Sequence, residues 1–220
     1  VKAIADICKK YDVPLVVDEA HGCLWNFNKN LPESSLHLGA DAVVHSLHKT
    51  GGSMSQSSML HITEGSKFDP DEIERTLQLL QTTSPSMLLM ASLDAARANL
   101  ESKHGKKQLN RAIQHAKYVR KRLHKIEGVH VLEATENYNQ DVTKVFVRVD
   151  GLSGKRLESI LEIDFDIEVE SASDIGVLLL INIGNTKQEI QYLVNGIATD
   201  IIAYLMEDDD MNMPEAIVLF

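Results

Sequence analysis

Two short apolar runs, each followed at once by polar residues, constrain the fold of this chain most strongly. Leu15–Val17 ends at Asp18, and Ala42–His45 ends at Ser46. Runs of this kind are typical of buried parallel strands, and a crossover between such strands brings their carboxyl ends to one edge of the sheet. Lys49 follows Ser46 by one short step. We therefore expect Asp18 and Lys49 to project from the same edge, where ligands of such sheets bind.

A carboxylate and a lysine at one sheet edge are the two groups that pyridoxal phosphate (PLP) chemistry requires. The lysine holds the cofactor as a Schiff base, and the carboxylate keeps the pyridine nitrogen protonated so that the ring accepts electrons. Asp18 lies in Val-Asp-Glu-Ala-His-Gly, and Lys49 lies in Ser-Leu-His-Lys-Thr. Taken singly, a strand-end aspartate often caps a turn, and a lysine after a strand is usually solvated. Their combination favours a PLP site.

Other polar residues near these motifs are candidates for the same site. His21 and His48 are candidates for contact with the cofactor ring or with the lysine nitrogen, and the Ser46 hydroxyl is a candidate phosphate donor. Thr83 and Ser84 precede Pro85-Ser86 and a predicted helix, where hydroxyls and N–H groups can bind an anion. Each also has a structural interpretation, as a buried polar residue, a strand end or a helix break.

Composition excludes several function classes. The 220 residues carry a formal net charge of −10, which argues against a nucleic-acid or anionic-membrane partner. The apolar runs are too short to span a bilayer, and two cysteines without framework spacing indicate a reduced, cytoplasmic setting. The early histidines match no closed zinc pattern, so we expect no metal site.

One motif invites a different interpretation. Asp18-Glu19-Ala20-His21 spells the acidic box of a helicase family, in which the acid pair handles magnesium and water. That chemistry also needs a Gly-x-x-x-x-Gly-Lys-Ser/Thr loop, which these 220 residues do not contain. Ser-Leu-His-Lys-Thr is not a helicase motif either, so a nucleotide site is disfavoured.

The order of predicted elements divides the chain. Predicted strands cover residues 15–17, 42–45, 58–62, 130–133, 144–149, 166–170 and 177–183. Predicted helices cover residues 1–11, 33–38, 70–80, 86–102, 106–126, 154–161 and 186–206, and the fifth has Lys117, Arg120 and Lys121 on its exposed face. We expect an α/β domain over residues 1–126, a small α+β domain over 127–206, and an acidic linker that begins a further, truncated segment over 207–220.

Several of these segments together are similar to a known family. They are Val-Asp-Glu-Ala-His-Gly from Val17, Leu31-Pro32-Glu33-Ser34, Gly39-Ala40-Asp41, Ser46-Leu47-His48-Lys49-Thr50, Gln56 to His61, Thr82 to Arg97, and Gly176 to Thr186. The chain resembles the major domain of the Orn/Lys/Arg decarboxylases, which are fold type I PLP-dependent enzymes. The resemblance covers most of residues 1–206, and the Ser-x-His-Lys and Ser-Pro-Ser combination is specific.

The resemblance implies an activity and a set of roles. The fold would be an α/β, PLP-dependent transferase-like major domain with a partial parallel sheet, followed by a small α+β domain. The reaction would be decarboxylation of arginine, lysine or ornithine to the amine and CO2, as in polyamine biosynthesis. Lys49 would carry the cofactor, with Asp18 on the pyridine nitrogen and His21 against the ring. Ser46 and His48 would contact the phosphate or position the lysine.

The resemblance also implies a homodimer or larger assembly with shared active sites. Thr83 and Ser84 would then reach the phosphate in a neighbouring subunit. Alternatives are another fold type I enzyme, such as an aminotransferase or a carbon–nitrogen or carbon–sulfur lyase, and a non-catalytic remnant that acts as a binding partner.

Two positions depart from the family pattern, and the chain looks incomplete. Gly51-Gly52-Ser53 replaces bulkier residues, and Asn185 stands where an aspartate is expected. Val1 lies inside a predicted helix, so we expect an amino-terminal part with further cofactor-binding residues to be missing. The sequence therefore predicts a fragment that is inactive by itself.

Overall fold

The computed structural model describes residues 1–135 and 139–207, with side chains described up to residue 199. Contacts within the chain define two units, residues 1–110 and a second unit that begins at Arg111. The domain limits of 1–126 and 127–206 remain a prediction. Residues 208–220, which hold most of the predicted linker, lie outside the described residues.

A three-stranded sheet is the framework of the first unit. Its strands are β1 (Val16–Asp18), β2 (Ala42–His45) and β3 (Met59–Ile62), in the order β1-β2-β3. β1 and β2 are parallel, with Asp18 opposite Val44, as the sequence predicts. β3 runs antiparallel to β2. The mixed sheet therefore still brings the carboxyl ends of β1 and β2 to one edge.

Five helices and one 3-10 turn accompany these strands along the chain. They are α1 (Lys2–Lys10), the 3-10 turn Trp25–Phe27, α2 (Leu47–Thr50), α3 (Pro70–Leu80), α4 (Met87–Glu101) and α5 (Lys103–Leu123). Asp69 caps α3 by accepting the Asp71 N–H at 3.0 Å, directly before Pro70 at the first helical position. Ser86 caps α4 in the same way. These signals are why both helix starts are predicted correctly.

The helix predicted over residues 33–38 is wrong. Residues 35–39 form turns instead, with the His37 N–H donated to the Ser34 carbonyl. The Ser34 hydroxyl and the Ser35 N–H are both donated to the buried Glu19 carboxylate. Gly39 then takes a φ of +96°, a left-handed conformation that suits glycine. Hydrogen bonds to a distant side chain thus replace the helical pattern.

A four-stranded antiparallel sheet with two helices forms the second unit. Its elements are β4 (Val129–Val131), β5 (Lys144–Val149), α6 (Gly154–Phe165), β6 (Ser171–Ala172), β7 (Val177–Leu180) and α7 (Lys187–Glu207), and the strand order is β4-β5-β7-β6. Val145, Val147, Leu161 and Val177 are fully buried in its core. The predicted β-β-α-β-β-α order is confirmed.

The strand predicted over residues 166–170 is wrong, because α6 continues to Phe165 and residues 166–170 then connect it to β6 without regular secondary structure. Asp166 ends that helix in a left-handed conformation, with a φ of +53°. The Ile167 N–H is donated to the Leu161 carbonyl at 2.8 Å, which closes the helix end. The next strand therefore begins only at Ser171.

Arg120 does not lie on an exposed basic face. Lys117 and Lys121 are exposed, but Arg120 is 6% exposed. Its guanidinium donates hydrogen bonds to the Leu132 and Lys144 carbonyl oxygens, both at 2.6 Å. A buried arginine that satisfies backbone acceptors fixes the packing of α5, so its role is structural.

Asn185 has a local explanation in this fold. Its Oδ1 accepts a hydrogen bond from the Asn182 N–H at 2.8 Å. Its Nδ2 donates one to the Glu189 carboxylate at 3.3 Å. An aspartate would place a second carboxylate against Glu189. Glu189 also accepts the Thr186 N–H, so these residues form a capped start of α7.

The longest described helices, α5 and α7, have 21 residues each. α5 buries an apolar stripe formed by Leu109, Ile113, Ala116 and Val119. No helix in the described ranges has the combined length and apolarity needed to cross a membrane.

Candidate functional site

The candidate site lies in the first unit, where β1 and β2 end. Asp18 is the last residue of β1, and Lys49 lies in α2, shortly after β2. The strand pairing continues past both ends, because the Glu19 N–H is donated to Val44 at 3.0 Å and the Ser46 N–H to Ala20 at 3.1 Å. These bonds hold the two connecting loops against each other at the sheet edge.

Lys49 and His21 are in direct contact. The Lys49 ammonium donates a hydrogen bond to the His21 Nε2, with 3.3 Å between the two nitrogens. Lys49 is exposed, while the His21 ring is half-buried in the turn that follows β1. The structure therefore places together the two residues predicted to be catalytic, and it leaves the lysine amine accessible to a ligand.

Asp18 presents an oriented carboxylate at the same edge. Its Oδ1 accepts the Ala20 N–H at 3.0 Å, which fixes the side chain relative to the turn. The residue is exposed. An exposed carboxylate with one oxygen held in place is suited to pair with a protonated ring nitrogen of a ligand.

Ser46 and His48 flank the start of α2. The Ser46 side chain makes no capping bond to the helix, so its hydroxyl is not used there. His48 donates its Nδ1 proton to the Ser57 carbonyl at 2.7 Å, which ties α2 to the loop that follows it. This contact suits the predicted lysine-positioning role of His48, and phosphate contact by either residue stays a prediction.

Thr83 and Ser84 are the two candidate residues on the segment before α4. Both are exposed, and the Ser84 N–H is donated to the Thr82 hydroxyl at 3.2 Å in a local turn. No hydrogen bond of the described residues joins either side chain to Lys49. Their contact with the phosphate in a neighbouring subunit stays a prediction.

The two glycines after α2 are required by close contacts and by backbone conformation. A Cβ on Gly51 would lie 3.0 Å from the Leu47 carbonyl oxygen and 3.2 Å from the buried Cys23 thiol. Gly52 has a φ of +90°, which bulkier residues rarely adopt. The departure from the family pattern at Gly51-Gly52 thus matches a tight turn directly behind Lys49.

Glu19 is a site residue that the sequence reasoning missed. Its side chain is buried, and its two oxygens accept three hydrogen bonds. The donors are the Ser34 hydroxyl at 2.6 Å, the Ser35 N–H at 2.8 Å and the His45 Nε2 at 2.9 Å. A buried carboxylate thus links the end of β1, the end of β2 and the segment at residues 34–35.

Electrostatics favour the ionised form of this carboxylate. Burial by itself would raise the pKa of Glu19, but hydrogen bonds from His45, Ser34 and Ser35 lower that pKa to about 2. The neighbouring His61 ring lies 4.8 Å from the His45 ring, between centroids. Burial, and then the nearby His45, lower the pKa of His61. The cluster therefore holds a charged Glu19 beside a His61 that resists protonation.

A signal for this cluster was present in the sequence. His45 directly follows the apolar residues 42–44, and Glu19 follows the apolar residues 15–17 after one intervening residue, Asp18. Polar side chains at matching strand ends indicate a buried hydrogen-bonded pair once the register is known. Among the described residues, no group of three or more His, Cys, Asp or Glu side chains is arranged to hold a metal ion.

The lowered pKa of Glu19 predicts a specific acid sensitivity. A carboxylate with a depressed folded-state pKa stabilises the fold above its ordinary pKa of 4.5, and this contribution is lost as the pH falls toward 2. We expect Glu19→Gln to lower the free energy of unfolding by about 3 kcal/mol at pH 7. The difference from the unmodified protein should shrink steadily below pH 4.5.

Fluorescence of Trp25, the single tryptophan, reports urea unfolding of the first unit at each pH. A difference between the two proteins that stays constant from pH 7 to pH 3 would contradict this charge-dependent role of Glu19.

Comparison with known proteins decides the family. Residues 1–149 match the family described as Orn/Lys/Arg decarboxylase, major domain. The chain belongs to this family. The match includes every residue of the candidate site described above, from Asp18 to Ser84.

Relatives within the Orn/Lys/Arg decarboxylase family are longer than this chain. The arginine decarboxylase of Bacillus subtilis is 35% identical over 225 residues, which cover 99% of this chain and 45% of that protein. The arginine decarboxylase of Halalkalibacterium halodurans is 36% identical, over 90% of this chain and 41% of that protein. The chain thus spans less than half the length of these relatives.

A solved structure shows the same fold. The constitutive lysine decarboxylase of Escherichia coli superposes with a TM-score of 0.74 and 21% identity, over 89% of this chain and 34% of that one. This likeness confirms the predicted α/β fold of the decarboxylase family.

Proposed function

We propose that this chain is part of a PLP-dependent decarboxylase that acts on a basic amino acid. The contact between Lys49 and His21, at the sheet edge that also presents Asp18, carries this proposal. Membership of the Orn/Lys/Arg decarboxylase family supports the reaction class. The names of the two matching arginine decarboxylases favour L-arginine as the substrate.

The residues of the site fit the cofactor. Lys49 offers an exposed amine for covalent attachment, and Asp18 offers an oriented carboxylate for the pyridine nitrogen. The Ser46 hydroxyl, which makes no capping bond, is available for the phosphate. When bound, PLP supplies an electron-accepting ring that stabilises negative charge at the substrate carbon.

The chain's own groups then have distinct tasks. Lys49 must lose a proton at Nζ before it can act as a nucleophile, and the His21 Nε2 already accepts a hydrogen bond from that atom. His21 is thus placed to take up and return this proton. Asp18 keeps a compensating negative charge at the sheet edge, while His48 fixes α2 through its bond to Ser57.

The reaction class is tested with the complete protein, by which we mean the full product of the reading frame that contains these residues. We expect release of CO2 and of the corresponding amine from L-arginine, with slower release from L-lysine and L-ornithine. Formation of a keto acid in place of the amine would favour an aminotransferase of the same fold. Failure of the purified protein to take up PLP would favour the non-catalytic binding role.

We further propose that the active assembly is a homodimer with shared sites. The segment around Thr83 and Ser84 carries large exposed apolar side chains, which a partner subunit would cover. These are Leu79 and Leu80, exposed by 85% and 79%, and Met87 and Leu88, exposed by 72% and 73%. Light scattering of the complete protein over a range of concentrations tests the dimer, and a monomer at all concentrations would contradict it.

The 220 residues alone are expected to be inactive. β1 is an edge strand of the described sheet, with Val16 56% exposed, and the apolar side chains of Ile4 and Ile7 in α1 are more than half exposed. Lys49 and Asp18 are exposed as well. Contact with water weakens the electrostatic interactions that catalysis needs. Measurable amine release from the purified 220-residue chain, with the complete protein as reference, would refute this expectation.

A further inference from the structure

We propose that the buried Glu19–His45 pair positions His21 and Lys49, and thereby controls how well this site works. The proposal rests on the proposed PLP-dependent function. The described hydrogen bonds of the Glu19 carboxylate are with Ser34, Ser35 and His45 rather than with Lys49. Glu19 and His45 are thus positioning residues and act through their neighbours.

The Glu19 and His45 side chains connect the ends of β1 and β2. Glu19 directly follows Asp18, and His45 directly precedes Ser46. The two side chains are 2–3% exposed and lie 2.9 Å apart, from Glu19 Oε1 to His45 Nε2. A hydrogen bond shielded from water in this way fixes the spacing of the strand ends that carry the candidate residues.

The turn that holds His21 is folded around the Glu19 side chain. The Gly22 N–H is donated to the Glu19 carbonyl at 2.8 Å. A Cβ on Gly22 would lie 2.3 Å from the Glu19 Cγ, so this close approach requires glycine. His21 lies within the turn, so its contact with Lys49 depends on where the Glu19 side chain sits.

The donor set requires a carboxylate at this position. One oxygen accepts from Ser34 and His45, and the other accepts from the Ser35 N–H. A glutamine has one oxygen and one NH2 group. In one orientation its NH2 faces the Ser35 N–H, and in the other the Ser34 hydroxyl and His45 must accept instead of donate, so the donor pattern changes either way. Glu19→Gln therefore changes few atoms but breaks the arrangement that orders the turn.

The test compares Glu19→Gln with Glu33→Gln in the complete protein. Glu33 is exposed and directly precedes Ser34, so it provides the same chemical change outside the buried pair. For Glu19→Gln we expect kcat for L-arginine to fall about tenfold or more, because His21 and Lys49 shift, while KM changes less than about threefold. The pH titration of the visible absorbance of the lysine-bound cofactor should also shift. Glu33→Gln should match the unmodified protein in all three measurements.

The outcomes separate this inference from the proposed function. If the unmodified protein binds PLP and Glu19→Gln behaves like Glu33→Gln, the positioning role is overturned. If the unmodified protein binds no PLP, the proposed function itself fails, and this inference fails with it.

A milder variant covers the case in which Glu19→Gln does not fold. Ser34→Ala removes the 2.6 Å hydrogen bond to Glu19 and leaves the pair with His45 in place. We expect a fall in kcat of about threefold and an absorbance shift in the same direction as for Glu19→Gln. An unchanged kcat and titration in folded Ser34→Ala would overturn the proposal.

Discussion

Replacing Lys49 with alanine in the complete protein is expected to reduce decarboxylation on the order of a thousandfold or more. The reason is that the Lys49 amine contacts His21 at the sheet edge that also presents Asp18. Without Lys49, the cofactor loses its covalent anchor and the amine that later releases the product. Rates of CO2 release from L-arginine provide the measurement.

Lys29→Ala is the matched control, because Lys29 is an exposed lysine of the same unit. It should retain the rate of the unmodified protein. Reduction of the protein–PLP adduct with borohydride, followed by peptide mass mapping, should place the cofactor on Lys49. A reduced adduct on a different lysine, together with retained activity of Lys49→Ala, would exclude the assigned role.

The sheet that carries the site could be predicted because its local signals agree with one another. β1 and β2 each combine a short apolar run with polar residues at its end, and β2 is largely buried. The parallel register that follows sets Asp18 opposite Val44 and so fixes which edge carries the chemistry. Similarly, Asp69 and Pro70 specify the start of α3 without help from tertiary contacts.

The elements that were predicted wrongly depend on features that the local apolar pattern does not show. Residues 33–38 have a helical pattern, but Ser34 and Ser35 are held by Glu19, which is far away in sequence. Likewise, the end of α6 is set by the left-handed Asp166 and not by a break in the apolar pattern. Local propensity is a weak guide where such contacts compete with it.

The Glu19–His45 pair shows the same limit within the site. Residue type alone predicts exposure for a glutamate, and burial becomes evident only when three donors converge on it. Resemblance to the family points to Lys49, Asp18 and His21 as ligand-binding residues, but it does not point to the buried Glu19 that we propose positions His21 and Lys49. Thr83 and Ser84 rest on the resemblance alone, since no described contact links them to Lys49.

Replacing Asp18 with asparagine is expected to lower kcat on the order of a hundredfold while the cofactor stays attached to Lys49. The carboxylate is held at Oδ1 by the Ala20 N–H, and asparagine can keep that bond through its own oxygen. The change therefore removes the negative charge with little change of shape. A neutral partner stabilises a protonated pyridine nitrogen poorly, so the ring accepts electrons less well.

Two measurements separate this electronic role from a structural one. PLP content after dialysis should stay near that of the unmodified protein, whereas the rate of CO2 release should fall. Asp6→Asn is the control, because Asp6 lies in α1 in an exposed pair with Lys2 at 2.9 Å. A kcat of Asp18→Asn within about twofold of that of Asp6→Asn would contradict this role. The carboxylate that supports the cofactor ring would then come from another residue, and the pairing of Asp18 with Lys49 would no longer define the site.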